Sequence, residues 1–323
     1  MDTSAIRGLW CATLTPLDAR GNPDVARLAS HVRDLFAHGV EGVAPFGTTG
    51  EFPSFSTAER MQGLEALLAA GIPAARVVPG TGAAALSDAV ALTKHAVRAG
   101  APRCLIVPPF FFKEVSDDAV FDYYARLIDA VGEPALRVYL YHIPQFSGVP
   151  VRPDVVARLA KAYPAVIAGV KDSSGDYKNT QALLERAPQL SILVGHEPHL
   201  PQLLRDGGAG TICGVANVYP AMIAALLKPV VAAADEARIA SFLKVLFSYP
   251  FLSAFKAIRA AQTGDPGWNA LRLPWLPLDD ARHAKLLAEL ADAGFLAPAE
   301  TTSRAGRVAP GVNRAEAQRK GNP

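Results

Sequence analysis

The sequence predicts an α/β chain folded as a (β/α)8 TIM barrel with a C-terminal helical extension. Two observations carry that prediction. Eight short apolar runs between Gly8 and Asn217 alternate with stretches of helical period, and from Pro220 to about Leu296 only the helical period remains. Eight parallel strands with covering helices close into a barrel. The rival, an open doubly wound sheet, usually has fewer strands. The expected division is a barrel over 1–218, a helical appendage packed on it over 219–298, and a disordered tail over 299–323, which has almost nothing apolar after Val312.

Each unit can be justified in turn. Gly8–Leu17 is the first apolar run, and Asn22-Pro23 opens a helix with Val25, Leu28, Val32 and Leu35 on its apolar face. Gly39–Gly47 is the second strand, and Ser56 with Glu59 forms a capping box before a helix that ends near Gly71. Arg76–Gly82 is the third strand, with a helix over Ser87–Arg98. Arg103–Phe110 is the fourth, followed by a helix capped near Ser116 and running to Val131. Leu136–Pro144 and its helix Pro153–Tyr163 come next, then Val166–Ser173 with a helix near Thr180–Arg186. Leu190–Glu197 with Pro198–Asp206 and the final strand Gly210–Asn217 complete eight units. The helices beyond are expected to break at Thr263-Gly264-Asp265-Pro266.

Composition narrows the function class. Of 323 residues 50% are hydrophobic and 19% charged, enough for a large core. A formal charge of +2 points to no nucleic-acid or membrane partner. The opening MDTSAIRGLW does not read as a signal peptide, and no apolar run is long enough to span a bilayer. Cys11, Cys104 and Cys213 are scattered within apolar runs and read as reduced core residues. A soluble cytoplasmic protein is expected.

In such barrels reactive groups gather at the C-terminal ends of the strands. Five small or branched residues, Val166–Val170, lead straight into Lys171, and Asp172–Gly175 then turn the chain. A lysine ending a strand buried on both faces is favoured as a neutral amine, the form that attacks carbonyls. The plainer alternative is a lysine that snorkels to solvent. Its neighbours decide for chemistry. Gly47-Thr48-Thr49-Gly50-Glu51 ends the second strand, and such a turn presents backbone N–H groups and hydroxyls to a carboxylate. Tyr141 ends the fifth strand beside the lysine strand and can pass protons. Gly195, Ile212 and Gly214 are small or apolar and leave room for a ligand. Amine, phenol and carboxylate-binding turn together suit a 2-oxo acid.

These motifs resemble the dihydrodipicolinate synthase / N-acetylneuraminate lyase family of class I, Schiff-base aldolases. The matching features are GTTGE at Gly47–Glu51, Tyr-x-x-Pro at Tyr141–Pro144, GVKDSSG around Lys171, Gly195, and GGAGTICGVANV from Gly207, spanning about residues 5 to 297. The resemblance implies Lys171 as the Schiff-base lysine and Tyr141 as the proton shuttle. It implies that Thr48 and Thr49 hold a pyruvate-type carboxylate, with the Thr49 hydroxyl in the proton relay and the Ile212 backbone near the keto acid. No cofactor is implied beyond the covalent Schiff base, and the assembly implied is a homo-oligomer, a tetramer or dimer. Two departures bear on substrate. Phe146 stands where synthases of the family carry an arginine for the second substrate's carboxylate, and Phe111 stands where a neighbouring subunit's tyrosine completes the relay. An apolar ring does not replace a guanidinium. The favoured substrates are therefore pyruvate with an aldehyde, joined or released as a 4-hydroxy-2-oxo acid or a 2-keto-3-deoxy sugar acid, with Phe111, Phe146 and Ser173 among the substrate-binding residues. A 4-hydroxy-tetrahydrodipicolinate synthase, a keto-deoxy sugar acid dehydratase and a non-enzymatic 2-oxo acid sensor are the alternatives.

Other readings weigh less. His142 with His196, Glu197 and His199 would make a metal site, but Pro198 breaks the helical spacing and a polar mouth is favoured, so no metal is expected. Gly80–Ala85 mimics a dinucleotide turn without an acidic residue near position 100, and reads as a tight turn at the rim. Lys256, on a helix outside the barrel, is assigned to snorkelling or an interface, and Glu51 to loop hydrogen bonding.

Overall fold

The computed structural model describes residues 5–296. The expected tail, 299–323, lies outside them. Seven parallel strands, β1 (Gly8–Cys11), β2 (Gly42–Val43), β3 (Arg103–Ile106), β4 (Arg137–His142), β5 (Ile167–Asp172), β6 (Ser191–Val194) and β7 (Gly210–Cys213), form one curled sheet in the order β2-β1-β7-β6-β5-β4-β3. The two outer strands do not remain open edges. Val78 N–H donates to Val43 O and Gly80 N–H to Pro45 O on one side, while Thr81 N–H donates to Leu105 O and Leu105 N–H to Pro79 O on the other. Residues 77–81 thus stand in the eighth place and close the barrel. Their expected strand, Arg76–Gly82, is cut short because Pro79 has no N–H to give and residues 74–76 coil into a 3-10 turn. Gly80 is needed there, since a Cβ would lie 2.1 Å from Phe46 O.

The pleat sorts the core into two layers. Leu9, Cys11, Cys104, Ile106, Val138, Leu140, Val170, Ile192 and Cys213 face outward under the helices. Trp10, Leu105, Tyr139, Tyr141, Leu193 and Ile212 fill the barrel. Lys171 follows outward-facing Val170, so the same alternation aims it inward.

Helices α1 (Val25–Ala37), α2 (Thr57–Ala69), α3 (Leu86–Arg98), α4 (Asp117–Val131), the short α5 (Pro144–Ser147), α6 (Pro153–Ala162), α7 (Tyr177–Arg186) and α8 (Leu200–Arg205) follow the strands. The Ser56–Glu59 capping box and the Ser116 cap form as the sequence indicates. Three starts differ. Asn22-Pro23 closes a turn in which Pro23 bridges Leu17, and Asp24 caps α1 instead. Asp176 caps α7, which starts three residues before Thr180, and Pro198 lies in a 3-10 turn ahead of α8.

Beyond β7 lie α9 (Pro220–Leu226), α10 (Ala233–Leu246), α11 (Phe251–Thr263) and α12 (Asp280–Asp292). The break after Thr263 is present, with Gly264 in the left-handed region. Further breaks fall at Pro229 and Pro250. Cys11, Cys104 and Cys213 are buried free thiols, and among the described residues no single helix is long and apolar enough to cross a membrane.

Candidate active site

The parallel pairing of β4 with β5 sets Tyr141 directly opposite Lys171. Both are 4% exposed, and Lys171 Nζ lies 4.3 Å from the centre of the Tyr141 ring. The phenol oxygen is 3.3 Å from Thr48 Oγ1. Next to Lys171, Asp172 turns away from the mouth. Its carboxylate accepts from Ser174 N–H, Asn179 Nδ2 and Thr180 Oγ1, so it ties the turn to α7. Ser173 faces the pocket beside Gly195, where a Cβ would sit 2.0 Å from Ser173 Oγ and 3.1 Å from Lys171 Cε. Any side chain at this position would crowd both Ser173 and Lys171.

Gly47–Glu51 forms a compact turn. Gly50 and Phe52 N–H donate to Gly47 O, and Glu51 N–H donates to Thr48 O. Among the described residues neither Thr48 nor Thr49 N–H has a backbone or side-chain acceptor, so both remain for an incoming carboxylate. Phe46 and Glu51, which flank the turn, have φ of 56° and 59°. Left-handed backbone at non-glycine residues costs about 1–3 kcal/mol each and persists only where surroundings enforce it. Phe46 is buried against Gly63 and edge-on to Phe55. Glu51 is held by Lys256 Nζ at 2.5 Å, both side chains fully buried, and by Arg272 N–H. Lys256 also donates to Ala270 O. It therefore neither snorkels nor waits for a partner subunit. Glu51 does bond loop backbone, as expected, and carries the ion pair as well.

The threonine hydroxyl nearest Tyr141 is not the one expected. Thr48 is the residue in reach of Tyr141, whereas the Thr49 side chain packs beside Gly214. Strand alternation does not extend through a turn, so the sequence could not say which threonine points inward.

Above these groups opens a pocket of about 270 Å³ lined by Thr48, Thr49, Tyr141, Lys171, Ser173, Gly195 and Ile212. Phe146 lines it too. Phe111 does not; its ring is 75% exposed and packs on Phe112. Gly47 sits in the turn just outside this lining. Further lining comes from α10 and α11: Leu243, Leu246, Phe247, Phe251 and Phe255. Sequence reasoning missed this wall, although the aromatic spacing 247-251-255 was there to read.

Glu197, read from the sequence as polar lining of the mouth in preference to a metal ligand, belongs to the pocket. It is buried in the pocket wall, its Oε1 accepts from Val215 N–H, and burial pushes its carboxyl up to about 7. His142 is held by Val151 N–H on Nδ1, and His196 packs edge-on against His199. Burial lowers both His142 and His196 below the usual imidazole value. Among the described residues no three His, Cys, Asp or Glu side chains are grouped to hold a metal.

Comparison with known proteins agrees with this geometry. The model of the dihydrodipicolinate synthetase family matches residues 5–293. A DapA-like lyase of Chloroflexus aurantiacus is 36% identical over 287 residues, covering 87% of this chain and 95% of its own. The crystal structure of dihydrodipicolinate synthase from Agrobacterium tumefaciens superposes with a TM-score of 0.83 at 32% identity, covering 88% of this chain and 99% of that one. The chloride-inhibited dihydrodipicolinate synthase of Acinetobacter baumannii, solved with pyruvate, gives 0.77 at 27% identity, over 90% of this chain and 100% of that one.

Proposed function

The chain belongs to the dihydrodipicolinate synthetase family, and from that membership we propose a pyruvate-dependent Schiff-base aldolase that works through Lys171. One observation carries the assignment of residues. A buried lysine at the C-terminal end of a barrel strand lies against the face of a tyrosine, in the same pocket as a turn with uncommitted N–H groups. Thr48 and Thr49 N–H would hold the pyruvate carboxylate, leaving its ketone above Lys171. The Lys171 amine adds to the ketone, the carbinolamine hydroxyl takes a proton from Tyr141 and leaves as water, and the iminium that remains makes the C3 protons acidic. Tyr141, with Thr48 beside its phenol, takes a C3 proton and leaves an enamine. That enamine adds to an aldehyde, or in the other direction is left behind when a 4-hydroxy-2-oxo acid is cleaved. Ser173, Gly195 and Ile212 shape the walls around the imine.

The reading extends to setting and assembly. Three buried free thiols suit a cytoplasmic protein. Phe111 and Phe112, each 75% exposed outside the pocket, suit a homo-oligomer in which they are covered.

The enamine has a direct signature. In heavy water the methyl protons of pyruvate should exchange for deuterium at a rate proportional to protein, as followed by proton NMR. Lys171→Ala should abolish exchange. Exchange that survives in Lys171→Ala would refute the assignment.

A further inference from the structure

Resting on the Schiff-base reading, we propose that the aldehyde half of the site takes an apolar aldehyde, aryl or branched alkyl. The full substrate is then a 4-hydroxy-2-oxo acid with an apolar group on C4 and no second carboxylate. The pocket has two unlike halves. Strand ends and the Gly47–Glu51 turn supply the hydroxyls, N–H groups and lysine. The opposite side, where the second reactant must lie, is built by Phe146, Leu243, Leu246, Phe247 and Phe251. Phe146 and Phe251 pack edge to face with centres 5.8 Å apart, and Phe251 in turn packs on Trp275 at 5.5 Å, so these rings brace one another. Phe146 and Phe247 nonetheless leave 52% and 62% of their surfaces exposed at the mouth. An apolar substituent would take that surface out of water.

Charge argues the same way. Among the described residues that line the pocket, Lys171 is the only Lys or Arg, and it becomes the imine. A carboxylate on the aldehyde would be desolvated between rings without a counter-ion. Hydroxylated chains find fewer free partners, since two of the polar groups lining the pocket are already engaged. Gln145 Nε2 donates to Ser173 O at 2.6 Å, and Glu197 Oε1 accepts from Val215 N–H.

The step itself balances without a cofactor. Enamine C3 attacks the aldehyde carbon, the C3–C4 bond forms, and the nitrogen returns to an iminium. The aldehyde oxygen takes from Tyr141 the proton earlier lost by C3, and becomes the C4 hydroxyl. Water then hydrolyses the iminium, freeing Lys171 and the product.

The test uses the purified full chain with pyruvate and four aldehydes: benzaldehyde, 2-methylpropanal, glyoxylate and glyceraldehyde. Deuterium exchange into pyruvate is read on the same samples. Product formation, followed by mass spectrometry, should give kcat/KM for benzaldehyde or 2-methylpropanal about 10- to 200-fold above the other two, the range an apolar pocket achieves. Phe146→Arg should narrow or reverse that preference towards glyoxylate. Exchange with glyoxylate or glyceraldehyde as the better acceptor, or with no product from any aldehyde, would overturn the proposal and leave Schiff-base formation standing. Absence of exchange in the unaltered protein would overturn both.

Discussion

Tyr141 and Glu197 show how much chemistry rests on single residues. Tyr141→Phe keeps the ring beneath Lys171 but removes the hydroxyl next to Thr48. Loss of one positioned proton-transfer group should lower kcat by about 10²–10⁴-fold while reduction still traps the imine. A loss of less than about tenfold would remove Tyr141 from the relay. Glu197 makes a pH prediction. Burial raises its carboxyl from 4.5 to about 7, so the folded protein binds a proton that the unfolded chain has released between those values. Stability is complete below 4.5 and falls as pH rises to about 7, by about 3 kcal/mol. Glu197→Gln, which can still accept from Val215 N–H, should match the unaltered protein near pH 4 and exceed it above pH 7 in urea unfolding. Parallel pH profiles would contradict this account. Lys171 and Tyr141 were legible because each ends an apolar run. Phe111, whose expected place is a neighbouring subunit's site, lies outside the pocket of its own chain.

At the scale of elements, the Gly47–Glu51 turn and α11 act as one unit. Lys256 reaches from α11 to Glu51, and Arg272 binds the same region through Glu59, Ser54 O and Gly21 O. Lys256→Met would leave a buried carboxylate beside strained backbone, at a cost of about 3–5 kcal/mol. The double variant Glu51→Gln with Lys256→Met removes both charges and should recover most of that stability. Because the turn carries the N–H groups proposed to hold the carboxylate, both variants should also need more pyruvate for half-maximal imine formation. A stable Lys256→Met with unchanged pyruvate dependence would show that the pair is not structural support for the turn. None of this was readable in advance. The sequence marks Lys256 and Glu51 as separate oddities, and only the docking of the helices over the barrel mouth pairs them. Local signals did better: the Ser56–Glu59 box and the Ser116 cap depend on neighbours three residues away.

Across the whole molecule, the barrel was legible because its period is built into eight runs of residues, whatever their partners. Closure was not. Whether residues 77–81 pair with both β2 and β3 depends on contacts between distant segments, and Pro79 shortens the strand that pattern alone would extend. The helices after β7 were visible as helices, but their role was hidden, because which face of α10 or α11 lines the pocket is set by tertiary packing. These levels meet at one point: the barrel ends and the C-terminal helices converge on Lys171, the proposed nucleophile. Borohydride reduction in the presence of pyruvate, followed by peptide mapping, tests it most directly. The account predicts one reduced pyruvyl adduct, on Lys171, absent from Lys171→Ala. No adduct, or one mapped to another lysine such as Lys256, would contradict it.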